Sequence, residues 1–174
     1  MTTDQKGAIA EAAIALEALK LGIEVYRPVG EGGRFDMILV VGGRLVRVQC
    51  KWATRYGEVV VVRCYSSRRA RTGLVRRLYT ADEIDAFASY CFELDRCFFI
   101  PIELVATKEV RLRLSPARNN QRRKISWADD FDFAATLRRN PGAIAQLGEH
   151  LHGMQGVAGS SPAGSTQSSD FLIS

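Results

Sequence analysis

Two carboxylates, one amide and one lysine occupy positions that the predicted elements would bring together. Glu11 falls in a predicted helix, Asp36 opens an apolar strand, and Gln49 and Lys51 lie two residues apart on that strand's hairpin partner. Because alternate residues of a strand share a face, Gln49 and Lys51 can both address one point beside Asp36. Carboxylate and amide oxygens suit Mg²⁺, and a lysine can orient or deprotonate an attacking water. The set predicts phosphodiester hydrolysis, with Asp36, Gln49 and Glu11 as metal ligands and Lys51 at the water.

These four residues also have an ordinary structural interpretation. An acid, an amide and a lysine are common on strands, and Gln49 could be an exposed residue on one face of its strand. Asp36 and Gln49, however, lie within otherwise apolar segments, where an unpaired polar group is costly to bury. Their positions favour a functional role.

Histidine chemistry has no candidate residue in the body of the chain. Both histidines, His150 and His152, fall in a Gly- and Ser-rich C-terminal segment. This excludes a Ser-His-Asp or Cys-His nucleophile and a histidine zinc site from the body. The four cysteines show no CxxC spacing, which is typical of reduced thiols in a cytoplasmic protein, and no apolar run is long enough to cross a membrane.

The positive charge is concentrated in the first 139 residues. All 24 Lys and Arg fall there with 17 of the 19 acids, so this part carries +7 and the rest carries −2. An arginine-rich body favours a polyanion such as DNA, bound through phosphates, although a solvated charged surface is the alternative. The candidate DNA contacts form two clusters, a first of Arg68, Arg69, Arg71, Arg76 and Arg77, and a second of Arg118, Arg122, Arg123 and Lys124.

The predicted elements place the four polar residues in an α/β (α+β) core. Residues 3–22 predict a helix capped by Thr3 or Asp4, with an apolar stripe of Ile9, Ala12, Ala13, Leu16 and Leu19. Strands are predicted at residues 23–27, 35–41, 44–52 and 58–65, with Gly42-Gly43 as a hairpin turn.

The second half of the body predicts further strands around a basic loop. The loop covers residues 66–77, and strands follow at residues 85–91 and 96–102, with an edge strand at residues 110–114. A polar loop then leads to a short element around Trp127 and Phe131. The whole pattern predicts a central mixed sheet flanked by helices, in one domain.

The residues around this centre resemble a known family. The pattern Glu11…Arg34-Phe-Asp36…Arg47-Val-Gln49-Cys-Lys51 resembles the PD-(D/E)XK nuclease superfamily, and more closely its group I intron homing endonuclease branch. The likeness extends over roughly residues 5–133 and includes the stretches at residues 64–67, 79–87, 99–102, 119–121 and 125–128. Phe35 replaces the proline that names the motif, and Gln49 replaces its second acid.

The resemblance implies a restriction-endonuclease-like fold over residues 1–137. It also implies a Mg²⁺-dependent, site-specific endonuclease of homing type that acts on double-stranded DNA, with a metal site weakened by the neutral Gln49. Since one active site must serve two strands, we expect a homo-oligomer, either a dimer or a tetramer. Two alternatives stay open: a Holliday-junction resolvase-like or repair nuclease, and a non-catalytic DNA-binding module derived from a nuclease.

Residues 138–174 are predicted to be a disordered extension produced by readthrough into a tRNA-Ala gene. Residues 144–150, 150–156 and 159–162 permit codons that form, in order, a D-arm, an anticodon arm reading GGC and a T-arm. Such an unselected segment would have no core to fold around. The encoding DNA tests this prediction, because codons that cannot form a cloverleaf contradict it.

Overall fold

The computed structural model describes residues 1–30, 32–71, 73–116 and 125–139. The second predicted basic cluster and the extension beyond residue 139 lie outside the described residues. The helices are α1 (Thr3–Lys20) and α2 (Phe133–Arg139), so the predicted domain boundary at residue 137 falls within α2. The strands are β1 (Val25–Tyr26), β2 (Met37–Val41), β3 (Arg44–Tyr56), β4 (Val59–Arg63), β5 (Tyr65–Ala70), β6 (Gly73–Leu78), β7 (Ala86–Cys91), β8 (Arg96–Pro101), β9 (Glu109–Arg113) and β10 (Ser126–Trp127).

Helix α1 begins at Thr3, as predicted, but its cap is Thr2, one residue before the predicted cap. The Thr2 hydroxyl accepts a hydrogen bond from the Gln5 amide, and the Gln5 side chain accepts one from Thr2, which forms a capping box. The predicted apolar stripe was only partly right, because Ile9 and Ala13 pack against the core while Leu16 and Leu19 are 55% and 61% exposed. The helix instead buries Ala10, Ile14 and Ala18, whose mostly small side chains let it pack closely on the sheet.

Strand β3 is the centre of the sheet. It pairs antiparallel with β2 and β4 and parallel with β7, while β9 continues the sheet from β4. At Val48 the two neighbours are Met37 and Ala86, and at Ala53 they are Val62 and Cys91. Strands β2 and β4 therefore share one side of β3, with β7 on the other side.

A fork opens where β2 and β4 separate along β3. Strand β2 pairs with β3 up to Val48, and β4 pairs with it only from Ala53 onward. Within the described residues, positions 49–52 of β3 have no strand partner on this side. Their backbone donors and acceptors must find other partners, which makes the fork the natural place for polar side chains.

Two apolar layers cover the sheet. On one face α1 and α2 pack over β3, β7 and β8, with Ile14, Val48, Phe99 and Phe133 fully buried or nearly so. The other face buries Phe87, Phe98 and other residues against the turns and loops between strands. The central mixed sheet and the α+β class are confirmed, and the two helices of the described part both lie on one face.

Residues 66–77 form a hairpin where a loop was predicted. Strands β5 and β6 pair antiparallel from Tyr65 and Leu78 to Ala70 and Gly73, in a two-stranded sheet of their own. Gly73, at φ 116°, adopts a conformation that favours glycine at the turn. The hairpin was missed because it stands outside the core, so its side chains carry no apolar alternation.

The strand at residues 109–113 is not the edge of the sheet. Strand β9 lies between β4 and the short parallel strand β10, which covers it at Leu112 and Arg113. The four cysteines are free thiols, three buried and one half-buried. In the described part of the chain, no helix is long and apolar enough to cross a membrane.

Candidate active site

Asp36 lies at the mouth of the fork, one residue before β2. Its amide donates to the Val48 carbonyl at 2.9 Å, which continues the ladder by one step. Its Oδ2 accepts hydrogen bonds from the Cys50 amide at 2.7 Å and from the Gln49 side chain. The carboxylate thus accepts the hydrogen bond of the Cys50 amide, which has no strand partner on this side of β3. Its Oδ1 accepts no hydrogen bond from the described residues.

Gln49 is buried in the fork, so its interpretation as an exposed strand residue is wrong. The side chain is 7% exposed, and its Nε2 donates to Asp36 and, at 3.4 Å, to the Cys50 carbonyl. A buried amide is costly unless it is hydrogen-bonded, and this one is fixed against the carboxylate that sequence analysis paired with it. The structure therefore brings Asp36 and Gln49 into direct contact.

Lys51 reaches the fork from the same face as Gln49. Its Nζ donates to the Tyr65 carbonyl at 3.2 Å and to the Tyr79 hydroxyl at 3.3 Å. Burial lowers the pKa of the Lys51 ammonium, while the nearby Asp36 carboxylate partly opposes that shift. The lysine is held by neutral oxygens and loses its proton more easily than a solvated lysine does.

Glu11 approaches the fork from α1, next to the buried Ala10. Its Oε2 lies 3.8 Å from an Arg27 guanidinium nitrogen. Burial raises the pKa of Glu11, and the charge of Asp36 raises it further. Burial also raises the pKa of Asp36, against the lowering effects of its hydrogen bonds and of Lys51. The negative charges of Glu11 and Asp36 repel each other, and a cation close to both would stabilise their ionised forms.

The donor set is therefore two carboxylates and one amide. The described residues contain no group of three or more His, Cys, Asp or Glu side chains that could hold a metal ion. The set fits a hard divalent ion such as Mg²⁺, which needs few protein oxygens because it retains water. The free Oδ1 of Asp36 and the electrostatic repulsion between Asp36 and Glu11 both support that fit.

Arg34 ties the hairpin to the fork, a role that sequence analysis did not assign. Its guanidinium lies 4.0 Å from the centre of the Tyr79 ring and donates to Glu83 at 2.8 Å and to the Ser66 hydroxyl at 3.2 Å. Tyr79 in turn accepts from Lys51. In the sequence, the only indication of this role was that Arg34 lies two residues before Asp36. Arg34 positions the base of the hairpin and the tyrosine that holds Lys51.

Arg47 and Asp85 fix the parallel strand β7 beside β3. The Arg47 amide and guanidinium donate to the Asp85 carboxylate at 2.7 and 2.8 Å, and the Asp85 amide donates to the Arg47 carbonyl at 2.9 Å. A parallel pair cannot be closed by a tight turn, so it needs such non-local ties. This pair sets the register that places Gln49 and Lys51.

The hairpin presents most of the first predicted basic cluster to solvent. The side chains of Arg69, Arg71 and Arg76 are exposed, and Arg76 lies 5.0 Å from the Tyr65 ring centre. Arg77 is used differently, because it pairs with Glu83 at 2.5 Å. The side chain of Arg68 lies outside the described part. The cluster therefore divides into exposed cations without an ion pair in the described part, which are Arg69, Arg71 and Arg76, and Arg77, which is paired at the base.

Removing the charge of Asp36 should stabilise the metal-free protein. Since burial raises the pKa of Asp36 in the folded state, the ionised form favours unfolding. Well below pH 3.8, the ordinary pKa, the carboxyl group is protonated in both states and its ionisation does not affect stability. As the pH rises through 3.8 and then through the raised pKa of the folded state, ionisation destabilises the folded protein. At pH 7 with EDTA, Asp36→Asn should therefore have a higher urea midpoint of unfolding than wild type. The difference between the two midpoints should disappear near pH 3. Asp130→Asn, at an exposed position, is the control. A difference in urea midpoint between Asp36→Asn and wild type that does not depend on pH would contradict the prediction.

Comparison with known proteins agrees with this geometry. The sequence profile of the PD-(D/E)XK endonuclease family matches residues 1–134. The structure of a bacterial homing endonuclease, I-Ssp6803I, is similar, with a TM-score of 0.67 and 27% sequence identity over 84% of this chain and 99% of that one. A search of curated proteins gives no match.

These findings confirm the resemblance and the restriction-endonuclease-like fold that it implied. The profile covers the helix with Glu11, the fork with Asp36, Gln49 and Lys51, and the hairpin. It leaves out only the last residues of α2 and the predicted extension. The protein is an endonuclease, and the chain belongs to the PD-(D/E)XK endonuclease family.

Proposed function

We propose that the protein is a Mg²⁺-dependent, site-specific endonuclease of homing type that cuts double-stranded DNA. The observation that carries the proposal is the fork, where Asp36 holds the buried Gln49 amide through its Oδ2, keeps its Oδ1 free of hydrogen bonds from the described residues, and lowers the electrostatic cost of the half-buried Lys51 ammonium. The likeness to a bacterial homing endonuclease supports the homing type.

In this proposal Asp36, Glu11 and Gln49 hold the metal. When bound, Mg²⁺ polarises the phosphate and lowers the pKa of a water. Lys51 would orient the attacking water as an ammonium or, after losing its own proton, accept one from that water, and as an ammonium it would stabilise the charge that grows on the phosphate. Because Gln49 is neutral, we expect weaker metal binding than at a site with three carboxylates.

The DNA duplex would be held by the exposed arginines of the hairpin. A two-stranded ribbon fits the major groove of B-DNA, where arginine can pair with guanine or contact phosphates. The described part of each chain has one candidate centre, and a duplex has two strands to cut. We therefore propose a homo-oligomer, a dimer or a tetramer, in which two centres act on one site.

A cleavage assay separates this proposal from its alternatives. Purified protein is incubated with Mg²⁺ or EDTA on a plasmid library with random inserts and on a four-way junction, and its mass in solution is measured by sedimentation. We expect Mg²⁺-dependent cutting of a few plasmids at defined positions, by an oligomer. Preferential cutting of the junction would favour a resolvase, and duplex binding without cutting would favour a non-catalytic module.

A further inference from the structure

A cavity adjoins the fork on the side of the sheet that carries α1. Its volume is about 360 Å³, and it lies between the first turns of the helix and strands β3 and β4. It shares Cys50 and Lys51 with the candidate centre. The other lining residues are Thr3, Lys6, Gly7, Trp52, Thr54, Tyr56, Val61 and Arg63, and we call this space the Gly7 cavity.

The Gly7 cavity carries positive charge without acids. Lys6, Lys51 and Arg63 line it, and no Asp or Glu in the described part of the chain does. The Lys6 ammonium lies 5.5 Å from the Trp52 ring centre, and the guanidinium of the exposed Arg63, opposite Glu109 in the β4–β9 pair, makes no hydrogen bond or ion pair with the described residues. A separate cavity of about 330 Å³, across the fork, contains Glu11 and Asp36. Glu11 and Asp36, with Arg27, therefore line one cavity, and Lys6 and Arg63 line the other, with Lys51 between them and Asp36.

Gly7 leaves open space beside the helix backbone. Glycine is less favourable than alanine inside a helix, and Gly7 lies well inside α1. A methyl group placed on Gly7 would meet no atom within 4 Å outside its own helix backbone. The fold would accept alanine here, and the added carbon would occupy the cavity wall. The missing side chain therefore leaves room for a group that approaches the helix.

Aromatic side chains line the same cavity. Trp52 stacks on Phe92 with ring centres 5.7 Å apart, and Tyr56 is 58% exposed. Cations combined with exposed ring faces are the features with which proteins hold single nucleotides, through the phosphate and through the base or sugar. The cavity offers the cations Lys6 and Arg63 and the exposed ring of Tyr56, while Trp52, whose ring is stacked on Phe92 and lies under Lys6, lines the same space together with Lys51.

We propose that the Gly7 cavity holds the nucleotide next to the scissile phosphate on the cleaved strand. Lys6 and Arg63 hold the flanking phosphate, Trp52 and Tyr56 contact the base or sugar, and Gly7 lets the strand approach α1. This inference rests on the proposed nuclease centre, because the shared Lys51 would place the scissile phosphate at the fork. In this inference Lys6, Arg63, Trp52 and Tyr56 position the strand for the reaction.

A small nucleotide tests the cavity without cleavage. Thymidine 3′,5′-bisphosphate is titrated into the full-length protein in EDTA at low salt, with tryptophan fluorescence as the readout. We expect saturable quenching by wild type and affinities about tenfold lower for Lys6→Met and Arg63→Gln, which remove charge-assisted hydrogen bonds. Lys20→Met, on the same helix, and Arg55→Gln, on the same strand, should bind as wild type does.

Gly7→Ala provides a test that a folding defect cannot imitate. We expect its melting temperature to rise by about 2–6 °C, because alanine is the better helix former, while its affinity for the probe falls about tenfold. No saturable binding by wild type, or unchanged binding by Lys6→Met, Arg63→Gln and Gly7→Ala, would overturn the inference. Since the probe assay contains no metal, a protein that binds the probe as expected but cuts no DNA would contradict only the proposed function.

Discussion

Lys51→Met and Asp36→Ala should each lower the rate of DNA cleavage by about 10³-fold or more. Asp36 is the carboxylate with a free oxygen in the fork, and Lys51 is the half-buried cation whose pKa its charge affects. The first change removes the group at the water, and the second removes half of the negative charge that a metal ion would meet. Single-turnover cleavage of a mapped target, with Mg²⁺ in excess, measures both losses.

Binding and folding must be measured on the same variants. Neither residue belongs to the exposed hairpin, so duplex affinity in Ca²⁺ or EDTA should stay within a few-fold of wild type. Lys108→Met and Asp130→Asn are matched controls at exposed positions away from the fork, and they should cut as wild type does. If Lys51→Met and Asp36→Ala both cut at the wild-type rate, the assignment of the fork as the catalytic centre is wrong.

Replacing Arg69, Arg71 and Arg76 together by glutamine should lower duplex affinity by about 10²-fold or more. These exposed side chains form no ion pair with an acid in the described part of the chain, so their charge is available to phosphates. Each lost phosphate contact should reduce the slope of log affinity against log salt by about 0.9, which gives a total change of about 2 to 3. Electrophoretic or fluorescence binding at several salt concentrations measures both quantities.

The choice of arginines keeps the hairpin attached to the body. Arg77 is left unchanged because its ion pair with Glu83, together with Arg34, ties the hairpin base to the fork. The control is a triple replacement of Arg55, Arg138 and Arg139, which are also exposed and lie away from the hairpin. Equal salt slopes for the hairpin variant and wild type would show that DNA binds elsewhere.

Much of the sheet was predictable because its strands carry local signals. Apolar alternation and glycine turns located β2, β3, β4, β7 and β8 to within a few residues. The same alternation put Gln49 and Lys51 on one face, and the structure places them there. The sequence did not identify the central strand, because only the pairing shows that β3 contacts three neighbours.

Other features were not predictable for stated physical reasons. The stripe of Leu16 and Leu19 had the right period for a buried helix face, but the sheet accepted the face of Ala10, Ile14 and Ala18. Hairpin β5–β6 is held by backbone hydrogen bonds and by Arg34, so its exposed arginines gave no strand pattern. Strand β10, only two residues long, turned the expected edge strand into an inner one.

The amino-acid sequence by itself determined the chemistry available to this protein: a basic body without histidine, two acids, an amide and a lysine on adjacent elements, and a family pattern around them. Those properties depend on residue type and short-range spacing. Only the tertiary structure decided that β2 and β4 separate along β3, that the Asp36 carboxylate fills the gap, and that Gly7 opens a basic cavity beside Lys51. These are consequences of long-range packing and hydrogen bonding, in which residues far apart in the chain must satisfy one another's polar groups.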